Sequence, residues 1–165
     1  PPRLGTMGPL VHSLHTHSAM ASDLPIRPLC ILLVEDDDDH AELTAVALES
    51  HDPRHQTIRA RDGAEALDIL YRRESHGEAP RPDLILLDLN LPRVGGLDVL
   101  AEVKGDEGLR EIPVVVLTTS DAESDRARAY RTHANSYLVK PVDFAKFEAM
   151  IHELGDYWAR WNRLP

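Results

Sequence analysis

Apolar positions along the chain keep two rhythms, and the two take turns. Continuous oily runs lie at Leu29–Glu35 (LCILLVE), Asp83–Asp88 (DLILLD) and Ile112–Ser120 (IPVVVLTTS). Each is short and has no polar face, as a strand covered on both sides requires. Runs at Gln56–Ala60 and Asn135–Lys140 predict two further strands. Between the strands, apolar residues recur every three or four positions, the helical period. They are Leu43, Val46 and Ala47 within His40–Ser50, then Ala66, Leu67, Leu70 and Tyr71 within Asp62–Ser75, then Leu97, Leu100 and Val103 within Gly96–Asp106. Ala122–His133 and Asp143–Trp161 complete five predicted helices. Regular strand–helix alternation implies parallel strands, because parallel neighbours need a crossover. The expected fold is α/β, a doubly wound five-stranded parallel sheet of (βα)5 order. In such sheets ligands gather beyond the carboxyl ends of the strands, near the topological switch point.

The residues that close the strands are the chemically active ones. The first strand ends in Glu35 and Asp36, followed by Asp37, Asp38 and Asp39; the third ends in Asp88; the fourth in Thr118, Thr119 and Ser120; the fifth in Lys140 and Pro141. Acids, a hydroxyl and an ammonium are thus expected on one edge of one sheet. Asp38 or Asp39 is expected to cap the first helix. Glu35 and Asp36 stand too near a buried strand to be a merely solvated loop. Like charges crowded there repel unless a cation neutralises them. Hard oxygen donors at a partly open site favour Mg2+. A carboxylate beside such a cation can act as a nucleophile toward a phosphoryl group, with an ammonium and a hydroxyl steadying the phosphoryl oxygens.

Composition narrows the classes. At 165 residues the chain fits one domain with a real core, and its net charge of −10 argues against nucleic-acid and anionic-membrane partners. A lone cysteine, Cys30, excludes an internal disulfide framework, and a reducing cytoplasm is the expected setting. No apolar run approaches the roughly 18 residues of a membrane span. Residues 1–27 are rich in Pro, Gly, Ser, Thr and His without a period, and read as a disordered leader or tag-like extension ahead of a domain over 28–165. Within it His12, His15 and His17 are a weak metal candidate, since a mobile tract has nothing to orient the rings. Met20 is the expected natural start.

The pieces ILLVEDD, PDLILLDLNLP, GLDVL, IPVVVLTTS and SYLVKP resemble, in order and spacing, the receiver domain of two-component response regulators. That resemblance covers Leu29 to about Leu154 and implies the flavodoxin-like, CheY-like fold. The loops around HDPRH and SHGEAPRP, with LDLNLPR and the terminal YWARWNRLP, are more similar to single-domain regulators partnered with phytochrome-type histidine kinases. The resemblance implies that Asp88 is the phosphoacceptor and that Mg2+ is held by Asp36 and Asp88, by the Asn90 backbone carbonyl, and by Glu35 through water. It implies that Lys140 pairs with phosphoryl oxygens across a cis Lys140–Pro141 bond. Thr118 and Tyr137 would be the switch pair, Thr118 swinging toward the phosphoryl group and Tyr137 rotating inward. Asn90 and Ser120 would flank the acceptor and influence the lifetime of the phosphoryl group, while Pro92, Gly95 and Gly96 shape the loop after it. The donor would be the phosphohistidine of a sensor histidine kinase, and the new charge would bias the surface of the fourth helix, fifth strand and last helix.

The last predicted helix carries Phe144, Phe147, Ile151, Leu154, Trp158 and Trp161 at steps of three and four. Such a helix of about 20 residues spans about 30 Å, more than a small sheet needs. Trp158 and Trp161 at its far end are expected to be exposed on a monomer and to join a homodimer through the fourth helix, fifth strand and last helix. Two other functions fit the acids. An Mg2+-dependent aspartyl-phosphate phosphatase would want an acid two residues after the nucleophile, where Asn90 stands. An unphosphorylated scaffold is disfavoured by the complete set Asp36, Asp88, Thr118 and Lys140. The expectation is a signalling domain that catalyses only its own phosphorylation and dephosphorylation, not an enzyme acting on other substrates.

Overall fold

In the computed structural model, which describes residues 24–165, five parallel strands form one sheet in the order β2-β1-β3-β4-β5. The strands are β1 (Cys30–Val34), β2 (Gln56–Ala60), β3 (Leu84–Leu87), β4 (Val114–Thr118) and β5 (Ser136–Val139). The helices are α1 (Asp38–His51), α2 (Gly63–Leu70), α3 (Gly96–Gly105), α4 (Glu123–Arg131) and α5 (Phe144–Asp156). The doubly wound expectation holds. Successive side chains on a strand point to opposite faces, so each oily run feeds two cores. Leu32, Val34, Ile85, Leu87, Val114 and Val116 pack with Val99, Leu100 and Val103 of α3 and Ala129 of α4. Ile31, Leu33, Leu84, Leu86, Val115 and Leu117 pack with Leu48 of α1 and Ile151 and Leu154 of α5. Each fully buried branched side chain contributes about 1.5–3 kcal/mol, so these runs dominate the stability. The winding reverses between β1 and β3, and the tips of those two strands are Glu35 and Asp88.

Three local expectations are corrected. The α1 N-cap is Asp37, whose carboxylate accepts the His40 N–H at 2.8 Å, one residue before the expected pair. That start buries Ala41, Thr44, Ala47 and Leu48, and leaves Leu43 and Val46 37% and 51% exposed. Thr44 can face the core because its hydroxyl donates to the His40 carbonyl at 2.8 Å; small residues here let α1 approach the sheet. The last helix does not run straight to Trp161. It ends at Asp156 and continues as a π turn over Tyr157–Trp161. The wider turn brings Trp158 into the core beside α1 and α5, 8% exposed, while Trp161 stays 53% exposed. Only one of the two tryptophans is therefore available to a partner.

The π turn also fastens residues 24–27. Arg27 N–H donates to the Ala159 carbonyl at 3.0 Å, and Arg160 Nη1 reaches the Leu24 carbonyl at 2.6 Å. Arg54 Nη2 binds the Ile26 carbonyl at 2.9 Å. Residues 24–27, read as the end of a leader, are thus held against the domain; the rest of that leader, with His12, His15, His17 and Met20, lies outside the described residues. Beneath the sheet, Leu29 N–H donates to His55 Nδ1 at 3.0 Å, His55 Nε2 lies 3.0 Å from His51 Nδ1, and His51 Nε2 lies 3.0 Å from Asp156 Oδ1. Because the backbone can only donate, both rings are assigned as neutral Nε2–H tautomers. Gly155 permits this contact: a Cβ there would sit 2.9 Å from the His51 ring.

Candidate functional site

At the carboxyl edge of the sheet the side chains of Glu35, Asp36, Asp88 and Lys140 come together. Asp88, one residue past β3, is 6% exposed, and its Oδ1 accepts the Asn90 N–H at 3.2 Å. Its other oxygen, Oδ2, accepts from Lys140 Nζ at 3.0 Å. The Lys140 ammonium also binds Glu35 Oε2, and both of these groups are buried. Glu35 Oε1 accepts the Asp37 N–H at 3.2 Å. Burial pushes the Glu35 carboxyl above its ordinary range, while the hydrogen bond and charge of Lys140 pull it back down. Glu35, expected to act on a metal through water, is therefore also the direct partner of Lys140.

One oxygen each from Glu35, Asp36 and Asp88 lies within 4.8 Å of the others. Asp36 is exposed and the other two are buried, so the cluster opens to solvent on one side. Three hard oxygen donors with one open side suit a divalent cation that keeps some of its water. The loop after Asp88 folds back tightly. A Cβ on Gly96 would collide with the Asp88 carbonyl and come within 2.6 Å of Leu89 Cα, whereas one on Gly95 would meet only Asp98 Oδ2 at 3.6 Å. Gly96, not Gly95, is the residue this turn requires.

Thr118 is fully buried, and its Oγ1 accepts the Ser120 N–H at 3.3 Å. Ser120 Oγ donates to Asp125 Oδ2 at 2.7 Å, tying the β4 tip to α4. Tyr137 was expected to rotate inward. It is already turned in and buried, with its hydroxyl donating to the Ser120 carbonyl at 2.8 Å; the ring fills the core and the carbonyl satisfies the hydroxyl. Burial pushes its pKa above the usual tyrosine value. The Lys140–Pro141 bond, expected cis, is trans, and no cis peptide occurs among the described residues. Trans is the ordinary preference of an X–Pro bond by about 0.5–1 kcal/mol, and here Lys140 N–H donates to the Thr118 carbonyl at 2.7 Å.

Two neighbours escape a reading of strand tips. His40 Nδ1 lies 3.3 Å from Lys140 Nζ, so a neutral ring can accept the third ammonium proton. Arg59, one residue before the end of β2, reaches the Glu35 and Asp36 carbonyls. Their only sequence signal is position: His40 in the first turn after the acids, Arg59 near the tip of the adjacent strand.

Comparison with known proteins agrees with this geometry. The response regulator receiver domain model matches residues 31–152. The probable methanogenesis regulatory protein FilR2 of Methanothrix harundinacea is 46% identical over 138 residues, 84% of this chain and 88% of that protein. Response regulator Rcp1 of Synechocystis is 40% identical over 144 residues, 87% of this chain and 98% of its own length; its Mn2+-bound structure superposes with a TM-score of 0.79 over 84% of this chain and 99% of that one. The phosphorylated cyanobacterial phytochrome response regulator RcpA superposes with a TM-score of 0.81 at 39% identity, over 84% of this chain and 99% of that one. Neither the phosphatase nor the scaffold reading gains support from these relatives. On a family match spanning β1 to α5, the chain belongs to the response regulator receiver domain family, a family of phosphorylation-based two-component signalling.

Proposed function

We propose that Asp88 accepts a phosphoryl group from the phosphohistidine of a sensor histidine kinase. The observation that carries the reading is Lys140, whose buried ammonium joins Asp88 Oδ2 at 3.0 Å to Glu35 beside the open carboxylate of Asp36. In the transfer, an Asp88 oxygen attacks phosphorus, the P–N bond breaks, and the imidazole leaves with the bonding pair. Asp36 and Asp88, the Asn90 carbonyl, and Glu35 through water would hold Mg2+, which supplies positive charge against the phosphoryl oxygens. Lys140 pairs with a phosphoryl oxygen, and Thr118 turns its hydroxyl toward the new charge. Tyr137 forms the switch pair with Thr118; its ring is inside already, and its hydroxyl holds the Ser120 carbonyl at 2.8 Å. Asn90 and Ser120 flank the acceptor and tune how fast water removes the phosphoryl group. The domain catalyses only its own phosphorylation and dephosphorylation, largely by positioning and charge.

Acetyl phosphate with Mg2+ is expected to leave one acid-stable, base-labile label per chain, absent in Asp88→Asn. A label surviving Asp88→Asn, or steady turnover of an unrelated phosphate ester, defeats the reading. Likeness to Rcp1 and to the cyanobacterial phytochrome response regulator RcpA supports a phytochrome-type kinase as the donor. A cytoplasmic setting follows from such a donor; among the described residues no helix is long and apolar enough to cross a membrane. Exposed Tyr130 on α4, Val139 on β5 and Tyr157 and Trp161 after α5 support a homodimer through the α4–β5–α5 face. A mass in sedimentation unchanged from the monomer on phosphorylation and on concentration would remove that proposal.

A further inference from the structure

Arg59 has no part in the phosphoryl chemistry above, yet its side chain is built into the site. Alternation along the edge strand β2 puts Ile58 and Ala60 against the α2–α4 core, and Thr57 and Arg59 on the α1 side. A long cation at such an edge ordinarily runs out to water. Arg59 instead folds up to the strand tips and is only 24% exposed. Its Nε donates to the Glu35 carbonyl at 3.1 Å and its Nη2 to the Asp36 carbonyl at 3.2 Å. Its Nη1 pairs with Asp38 Oδ1 at 2.6 Å, so the same group also anchors the first turn of α1. Residue 35 is gripped from both sides, since its N–H donates to the Ala60 carbonyl at 3.0 Å. Arg61 offers an internal contrast. It pairs with the same Asp38 oxygen at 2.7 Å, but its side chain is 63% exposed and the only site-loop group it touches is Asp38.

Fixing two successive carbonyls fixes the peptide planes from which the Glu35 and Asp36 carboxylates project. A planar fork holds its donors in fixed directions, one for each carbonyl; a lysine carries the same charge on a single point with freely rotating donors. We propose that Arg59 is a positioning residue for the divalent-cation site, holding the backbone of Glu35 and Asp36 so that the Asp36 carboxylate meets those of Glu35 and Asp88. The inference rests on the reading of Asp36 and Asp88 as metal ligands. Its charge alone acts the other way, repelling a cation nearby. Fork and charge are therefore separable in one substitution.

The test is calorimetric titration of the full chain with MgCl2 alone. Arg59→Lys keeps the charge and loses the fork, and is expected to weaken Mg2+ binding about tenfold, the usual cost of losing a partner that orients a ligand. The Mg2+ concentration for half-maximal labelling by acetyl phosphate should rise by the same factor. Arg61→Lys is expected to leave both within about twofold, as an exposed pair does. Equal Mg2+ affinity for Arg59→Lys and the unaltered protein overturns the proposal, as does an equal loss in Arg61→Lys. A second measurement does not depend on the variant folding. In the unaltered protein the Arg59 Nε proton should exchange slowly and shift in NMR spectra on Mg2+ addition; exchange as fast as that of free arginine overturns the proposal. Failure of the underlying reading looks different: the unaltered protein would not bind Mg2+, or Asp36→Asn would bind it undiminished.

Discussion

Lys140→Met removes the one cation buried between Glu35 and Asp88 and leaves the volume nearly filled. Lys140 and Glu35 side chains are 3% and 2% exposed, so neither carboxylate of the trio can recover its partner from bulk water. Truncating one member of a buried pair ordinarily costs about 3–5 kcal/mol. Here the cost has a ceiling, because Glu35 can take up a proton. Its ordinary value is 4.5 and burial already pushes it up. Protonating it at pH 7 costs about 3.4 kcal/mol at about 1.4 kcal/mol per unit, and at pH 5.5 about 1.4 kcal/mol. The sign follows from proton counts. In the variant, folded Glu35 holds a proton that the unfolded chain has lost above pH about 4.5, so stability falls as pH rises through this window and returns as pH drops. Urea unfolding, followed by the fluorescence of buried Trp158, should show a loss of about 3 kcal/mol at pH 7 shrinking to about 1.5 at pH 5.5. Saturating Mg2+, which supplies the missing positive charge, should stabilise the variant by about 2.7 kcal/mol at a hundredfold excess over Kd. A loss below about 1 kcal/mol, or one that does not change with pH, would refute the argument that these carboxylates depend on Lys140.

Other outcomes follow from single contacts. Trp158→Ala should cost about 3–5 kcal/mol in urea unfolding of the monomer, whereas Trp161→Ala should change it by less than about 0.5 and weaken association in sedimentation. Gly155→Ala drives a methyl group into the His51 ring and should lower stability by about 1–3 kcal/mol in the same unfolding measurement. Asp37→Ala should cost about 0.5–2 kcal/mol in thermal unfolding while Asp39→Ala costs little, because only the Asp37 side chain caps α1. Burial and the neighbouring His51 hold His55 below its ordinary 6.5. The unfolded chain therefore binds more protons just below that value, and stability should fall as pH drops through about 6.5; His55→Gln should flatten that slope in chemical denaturation.

The strand tips were legible because residue type and position there speak together. An acid closing a run as oily as Leu84–Leu87 has no solvation reason to be where it is, and Thr118 and Lys140 gain meaning because they close two more strands on the same edge of the same sheet. What stayed hidden depends on reach or on single-residue register. Arg59 looks like any edge-strand cation until the fold brings the Glu35 and Asp36 carbonyls within its span. Asp37, Asp38 and Asp39 are alike as cap residues in sequence, and only the backbone turn selects Asp37. The α1 face was misread because Thr44 counts as polar in a periodicity, although its hydroxyl is satisfied inside the helix. The step from α5 to a π turn leaves no mark in a pattern of threes and fours, yet it decides which tryptophan is buried.

The backbone bond between Arg27 and Ala159, with Arg160 reaching Leu24, brings both ends of the described chain out beneath the sheet, at the opposite pole from Asp88. A fluorescent reporter, a surface tether or a second fused domain joined after Pro165 would therefore leave the acidic pole clear for a docking partner. Leu24 and Pro165 line one hollow, so a shortened chain beginning at Leu24 is a candidate for circular permutation, with new termini opened in the exposed segment Glu74–His76 and Pro165 joined to Leu24 by a short linker.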